Sequence, residues 1–330
     1  MHLDPFELHR PTTIDETVAL AGRLAPDVDY IAGGTDLLPN YKMRLNVRAN
    51  LIALEDVTEL RGLTLDRVGA MVRLADLEGN PEFANAFPGV AEAAGEVATP
   101  LVRASGTVGG NLLVETRCFF FNQSYPWRES LGFCLKADGD KCHVVPQKVK
   151  CYATFSGDLA PSLAVVDAEA EIAGPHGRRR VPVANLYDQG GDGIRRHHLG
   201  PGELIVAVHF PSASRGLRAT YRKLRIRPSY DFPELGVAVA ARRGSDGRVE
   251  RLALALGGLE TFPRRFDELT AALVGTVPTE TGVRALAEAV QKSVRPVHNT
   301  FLAAEYRKKM AGVFVRRATA HVLGLGETAG

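Results

Sequence analysis

Residues 30–37 read Tyr-Ile-Ala-Gly-Gly-Thr-Asp-Leu, and residues 105–111 read Ser-Gly-Thr-Val-Gly-Gly-Asn. Both are glycine-rich turns, and the first ends a short apolar run that reads as a strand. Glycine permits positive φ and lets main-chain N–H groups come close to an anion. A pyrophosphate caught between two such turns is held by amides and not by lysines. Neither turn is a GxGxxG fingerprint or a Walker lysine loop, so nicotinamide-type Rossmann and nucleoside triphosphatase readings lose ground.

Working outward, residues 51–54 and 68–74 read as short strands, and 83–98 as helix interrupted near Pro88. Residues 163–172, 180–184 and 203–210 read as strands. Residues 211–215 have linker chemistry and mark the expected domain boundary. Beyond it, residues 237–242 and 248–256 flank Ser245-Asp246-Gly247, a hairpin signal. Val283, Leu286, Ala287 and Val290 fall at i, i+3, i+4 and i+7, which predicts an amphipathic helix over 281–293. Residues 301–323 also read as helix.

The 330 residues leave room for two domains. With 45% hydrophobic and 24% charged residues, the balance is that of an ordinary globular protein. A net charge of +2 with dispersed basic residues speaks against nucleic acid or an anionic membrane as the principal partner. The short arginine run at 178–180 reads as a solvated turn entering a strand. Met1-His2-Leu3-Asp4-Pro5 has neither the basic nor the apolar region of a signal peptide. No stretch approaches the ~20 apolar residues of a membrane span, so the expected location is the cytoplasm.

All four cysteines, Cys118, Cys134, Cys142 and Cys151, lie in one segment, separated by sixteen, eight and nine positions. Disulfide frameworks belong to small secreted chains, so cysteines clustered in a reducing compartment point to metal. The segment from about 115 to 155 shows no period. A loop this long without a core is functional or disordered, and a bound metal can supply its order. There is no CxxC pair, so the spacing leaves zinc and an iron–sulfur cluster as rivals. His143 reads as a loop residue, because four thiolates already complete a site.

AGGTDL at 32–37, SGTVGGN at 105–111 and SGDLAP at 156–161 occur in that order. With GELIVAVHFP at 202–211 and YRKLRIRPSYDFPELGVAVA at 221–240, the chain resembles the FAD-binding subunits of the xanthine dehydrogenase and carbon monoxide dehydrogenase family of molybdenum hydroxylases. The similarity spans essentially the whole chain. It implies an α+β fold: a vanillyl-alcohol-oxidase-type (PCMH-like) FAD-binding domain of two lobes at 1–211, then a C-terminal α/β domain with a three-stranded sheet at 212–330. It further implies that Tyr30, Ile31, Ala32, Gly33, Gly34, Thr35, Asp36 and Leu37 wrap the FAD pyrophosphate and ribityl chain. Thr107, Val108, Gly109, Gly110 and Asn111 would do the same from the second turn. By the same resemblance Asp158 hydrogen-bonds to FAD, Val97 lines its site, Ile205 packs near the isoalloxazine and Lys223 lies at its edge. No residue of this chain is expected to perform acid–base catalysis.

In ordinary flavin subunits of the family, the chain runs almost directly from the GGN turn to the GD motif. Here an insertion of about forty residues parts Asn111 from Asp158 and holds every cysteine. Its strings TRCFFFNQS, FCLKADGDKCHVV and CYATFSGDLAP resemble the loop of the 4-hydroxybenzoyl-CoA reductase group, which binds an additional 4Fe–4S cluster through four cysteines. That resemblance implies an electron path from ferredoxin through 4Fe–4S and FAD to a partner's 2Fe–2S clusters and molybdenum, for reductive dehydroxylation to benzoyl-CoA. The implied assembly is a dimer of heterotrimers with a molybdenum-cofactor subunit and a 2Fe–2S subunit. The alternative is the flavin subunit of another molybdenum hydroxylase, passing electrons outward to NAD or a quinone. A zinc-stapled loop that docks a partner is the non-enzymatic rival.

Overall fold

Most strands of this chain are short, and they gather into three sheets backed by helices. The computed structural model describes residues 3–326, so the outermost residues of both expected domains lie outside it. Strands β1 (Glu7–His9), β2 (Val28–Ile31) and β3 (Asn50–Ala53) form a parallel sheet in the order β1-β3-β2. Parallel pairing requires a crossover. The helix Ile14–Leu24 supplies it between β1 and β2, capped by the Thr13 hydroxyl accepting from Glu16 N. The first glycine turn leaves the end of β2.

A second sheet holds β4 (Arg67–Gly69), β5 (Glu169–Gly174), β6 (Gly177–Pro182) and β7 (Leu204–His209), ordered β4-β7-β5-β6 and antiparallel. The arginine run at 178–180 lies within β6, on a solvent-facing edge strand, and is not a turn. The third sheet holds β8 (Arg218–Leu224), β9 (Leu235–Arg243), β10 (Val249–Gly257) and β11 (Arg264–Arg265). It therefore has four strands where three are expected. The addition, β11, is two residues long, too short to leave a periodic signal. The hairpin between β9 and β10 turns at Gly247, whose φ is +79°.

Two expected strands are corrected as well. The expected strand over 163–172 is a helix, Leu159–Val165, followed by β5, and all seven helical residues are buried. A short run that is apolar on every side has no period to separate helix from strand. The expected strand over 68–74 ends at Gly69, and a helix, Leu74–Glu78, begins where it was to finish.

Helices Glu280–Ser293 and Ala304–Leu323 cover one face of the third sheet, where Val237, Val239 and Leu254 meet Leu286, Val290 and Val315. No helix among the described residues is long and apolar enough to cross a membrane. Arg307, on the last helix, is fully buried. Its guanidinium donates to the main-chain oxygens of Glu234, Val297 and Gly258 and to Asn299 Oδ1, with the Glu234 carboxylate beside it. Glu234 in turn accepts from Thr300 Oγ1 at 2.6 Å, which folds the segment before the helix back onto the sheet.

Removing one partner of such a buried pair leaves the other uncompensated, at about 3–5 kcal/mol. Arg307→Met should lower stability by that order in chemical denaturation. An unchanged midpoint would mean that the network holds nothing together.

Candidate functional site

The two glycine turns lie against each other. A Cβ on Gly33 would collide with the Ser105 carbonyl, and one on Gly106 would reach Thr35 Oγ1 at 3.5 Å. Gly33 is thus required by a close main-chain approach, whereas Gly34 is required by its φ of +69°. Among the described residues, the amides of Gly33, Gly34 and Thr35 donate to no acceptor within the chain. Tyr30 and Ile31 lie in β2, and the Tyr30 hydroxyl donates to Gly202 O at 3.1 Å. Asp36 and Leu37 begin the short helix Leu37–Lys42.

The second turn is itself the start of a short helix, Val108–Leu112, and is not open loop. Four of its amide donors are occupied. Val108 N goes to Val72 O, Gly109 N to Ala70 O, Gly110 N to the capping Thr107 hydroxyl at 3.1 Å, and Asn111 N to Thr107 O. The second turn therefore offers fewer free amides than the first. Gly110 is exposed, and a Cβ there would meet only Thr107 Oγ1, at 3.0 Å. Asn111 Oδ1 accepts from Leu159 N at 3.0 Å, and a Cβ on Gly157 would stand 2.6 Å from Asn111 O. These contacts bring the GGN and SGD motifs together.

Asp158 is buried, and its two oxygens accept from the Tyr221 hydroxyl at 2.7 Å and Lys223 Nζ at 3.1 Å. Burial pushes its carboxyl up against the opposing pull of Lys223 and Tyr221. Lys223 is no exposed strand charge, since it also donates to Glu96 O at 2.9 Å from a side chain 1% exposed. Val97 follows Glu96 directly, so this ion pair fixes the backbone beside it. Ile205 lies in β7 opposite Ile172, within the main apolar core.

The four cysteines converge. Cys118, Cys134, Cys142 and Cys151 are all buried, unpaired in disulfides, and line a single cavity with Phe120, Phe121 and Lys136 among others. The insertion is not without a core: Cys118, Cys134 and Cys151 pack with Leu45, Phe121, Ala137 and Ala153. It also carries a helix, Tyr125–Ser130. Among the described residues no three His, Cys, Asp or Glu side chains are grouped to hold a single metal ion. Burial pushes the Cys118 thiol up to about 12 and the Cys151 thiol up to about 11, with Lys136 pulling the latter back down. A metal or cluster must therefore displace protons as it binds. His143 lines the same cavity, with its ring against Phe120 and its Nε2 on Phe133 O.

Several residues that tie the loop down carry no sequence signal. Asp36, from the first glycine turn, pairs with Arg117 and accepts from Glu115 N at 3.1 Å. The buried Arg128 donates to Met43 O and Arg44 O at 2.8 and 2.9 Å. Asn299 accepts from Phe119 N at 2.8 Å and donates to Tyr152 O, bridging residues that adjoin Cys118 and Cys151. Only distant partners reveal these roles, and a single chain read in order does not show them.

Residues 4–213 match the family described as "FAD binding domain in molybdopterin dehydrogenase", and residues 219–322 match "CO dehydrogenase flavoprotein C-terminal domain". The carbon monoxide dehydrogenase medium chain of Hydrogenophaga pseudoflava is 30% identical over 95% of each chain. The aldehyde oxidoreductase FAD-binding subunit of Escherichia coli (strain K12) is 31% identical over 93% of this chain and 96% of its own. A solved carbon monoxide dehydrogenase structure from H. pseudoflava superposes with a TM-score of 0.80 and 28% identity, covering 98% of this chain and 99% of that one.

The packing of the turns separates two glycines that look alike in sequence. Gly33→Ala should cost about 2–4 kcal/mol, because the Ser105 backbone has no room to yield. Gly110→Ala should stay within about 1 kcal/mol of the parent. Equal thermal shifts in the two variants would contradict this arrangement.

Proposed function

This chain belongs to the family of FAD-binding subunits of molybdenum hydroxylases, and on that basis we propose that it is the flavin and iron–sulfur subunit of an enzyme of the 4-hydroxybenzoyl-CoA reductase type. The observation that carries the finer reading is the convergence of all four cysteines on one buried cavity. Four thiolates suit a soft metal centre. A single zinc, with Zn–S near 2.3 Å, would draw its ligands within about 4 Å of one another. The choice of a 4Fe–4S cluster over zinc rests on the likeness of the insertion to the cysteine loop of that enzyme group.

In this reading the free amides of Gly33, Gly34 and Thr35 take the FAD pyrophosphate, and the exposed face at Gly110 leaves it room to approach. Tyr30, Ile31, Ala32, Asp36 and Leu37 complete the first wall, and Thr107, Val108, Gly109 and Asn111 the second. Asp158 and Lys223 hold each other and the Glu96 carbonyl, so they act on the flavin's surroundings through a fixed backbone at Val97 as well as through their own polar atoms. Ile205 would act on the flavin's surroundings from within the apolar core. Cys118, Cys134, Cys142 and Cys151 hold the cluster, while Phe120 and Phe121 on the cavity wall keep water from it. When bound, FAD exchanges electrons singly or in pairs and the cluster exchanges them singly. The domain division keeps its boundary in the linker at 211–215.

The chain would work in the cytoplasm, between ferredoxin and partner subunits carrying 2Fe–2S clusters and the molybdenum cofactor, as a dimer of heterotrimers. Reductive dehydroxylation of 4-hydroxybenzoyl-CoA would take place on the molybdenum subunit. A second reading is favoured by the relatives, which include carbon monoxide dehydrogenase and aldehyde oxidoreductase subunits. In it, electrons pass outward to NAD or a quinone.

Anaerobic purification from the native host, with metal and flavin analysis, tests the proposal. The expected result is one FAD, with four irons and four sulfides on this chain, and loss of the cluster in Cys134→Ser. Zinc without iron would refute the cluster.

Gly110→Phe should fold normally yet lose its flavin, because the new side chain fills the open approach. Full FAD occupancy in that variant would refute the assignment of the turn.

A further inference from the structure

Among the described residues, Lys136 is the only lysine or arginine lining the cysteine cavity, and its side chain is 4% exposed. Its ammonium donates to Glu115 Oε1 at 2.6 Å, to Gly193 O at 3.1 Å, and to both oxygens of Thr116. It also lies 4.6 Å from the centre of the Phe121 ring, which forms part of the same wall. Every partner is an acceptor or a π face, as a charged ammonium demands. Glu115 is shared: Arg196 Nε approaches the same oxygen at 3.2 Å, and Glu115 N donates to Asp36 of the first glycine turn. A cation and an anion are thus fixed at the edge of a cavity formed by four thiols, in a place largely closed to solvent.

We propose that Lys136 and Glu115 are positioning residues that set the reduction potential of the cluster held by the four cysteines. This rests on the iron–sulfur reading above. Four thiolates give the bound cluster a negative charge, and one-electron reduction makes that charge larger. Net charge, hydrogen bonding and solvent exposure set the potentials of such clusters. A buried ammonium stabilises the reduced form more than the oxidised one and raises the potential. A carboxylate beside it offsets part of that effect. Low solvent exposure keeps both contributions from being screened. The pair therefore balances the cluster between a donor on one side and the flavin domain on the other, with Asp36 and Glu115 joining its support to the first glycine turn.

The test is an anaerobic redox titration of the co-purified complex, following the electron paramagnetic resonance signal of the reduced 4Fe–4S cluster. Lys136→Met should move the midpoint to more negative potential, and Glu115→Gln should move it to more positive potential. Each shift is expected to be about tenfold in the reduced-to-oxidised ratio at fixed potential, or about 59 mV for a one-electron couple. Lys136→Arg, which keeps the charge, should stay near the parent. A merely structural role would displace the Met and Gln variants in the same direction or leave both unmoved, and either result overturns the proposal. If Lys136→Met cannot retain its cluster, Glu115→Gln decides alone: a positive shift supports the pair, and no shift overturns it. Zinc and no iron in the parent would instead overturn the reading beneath it, an outcome distinct from an iron-loaded parent whose variants do not shift.

Discussion

Two stretches of main chain come so close at Gly33 and Ser105 that no side chain fits between them, and the site is built around that contact. Turns held apart by side chains could move independently, whereas turns in backbone contact behave as one rigid edge. The first turn therefore cannot collapse to satisfy its own amides. Among the described residues, Gly33, Gly34 and Thr35 keep donors that face no acceptor in the chain, on a turn open enough for an anion to approach. The second turn differs. Val108 N and Gly109 N go to Val72 O and Ala70 O, Gly110 N and Asn111 N go to Thr107, and the turn's contribution is shape: a capped turn with an exposed glycine.

The insertion shows how a long segment with a very small core becomes ordered. It is fastened from three directions. Asp36 holds Arg117 and Glu115 from the first glycine turn, and Arg128 reaches back to Met43 O and Arg44 O. Asn299, fixed by the buried Arg307, bridges Phe119 and Tyr152 from the C-terminal half. Each anchor lies close in sequence to a cysteine or to the first glycine turn, so the two regions share their supports. The cysteines are thus held by a scaffold whose fastenings come from outside the insertion.

What the sequence revealed and what it hid follow from the range of the interactions. Glycine turns and clustered cysteines are local, so both could be picked out from residues 30–37, 105–111 and 118–151, and the fold sets the two turns together and the four cysteines around one cavity. The hairpin at Ser245-Asp246-Gly247 and the helix Glu280–Ser293 announced themselves by turn chemistry and period. The helix Leu159–Val165 did not, because an element buried on every side has no polar face to mark its repeat. The ion pair of Asp158 with Lys223 and the hold of Lys136 on Glu115 were equally hidden. A lysine in a strand or a loop looks like any solvated charge until the fold brings a carboxylate to it from far along the chain.

Both buried pairs pose the same energetic question. Desolvating two charges costs several kcal/mol per ion, and their attraction often does no more than restore the balance. Neither pair is therefore well explained as a device for stability, since apolar residues of similar size would serve as well. What apolar residues cannot do is fix neighbouring carbonyls and carry charge at a chosen point. Lys223 fixes the Glu96 carbonyl beside Val97, and Lys136 fixes Thr116 and Gly193 while lining the cysteine cavity. One pair stands at each expected cofactor position, and each holds its charge where a flavin or a cluster would feel it. Placement accounts for these charges better than stability does.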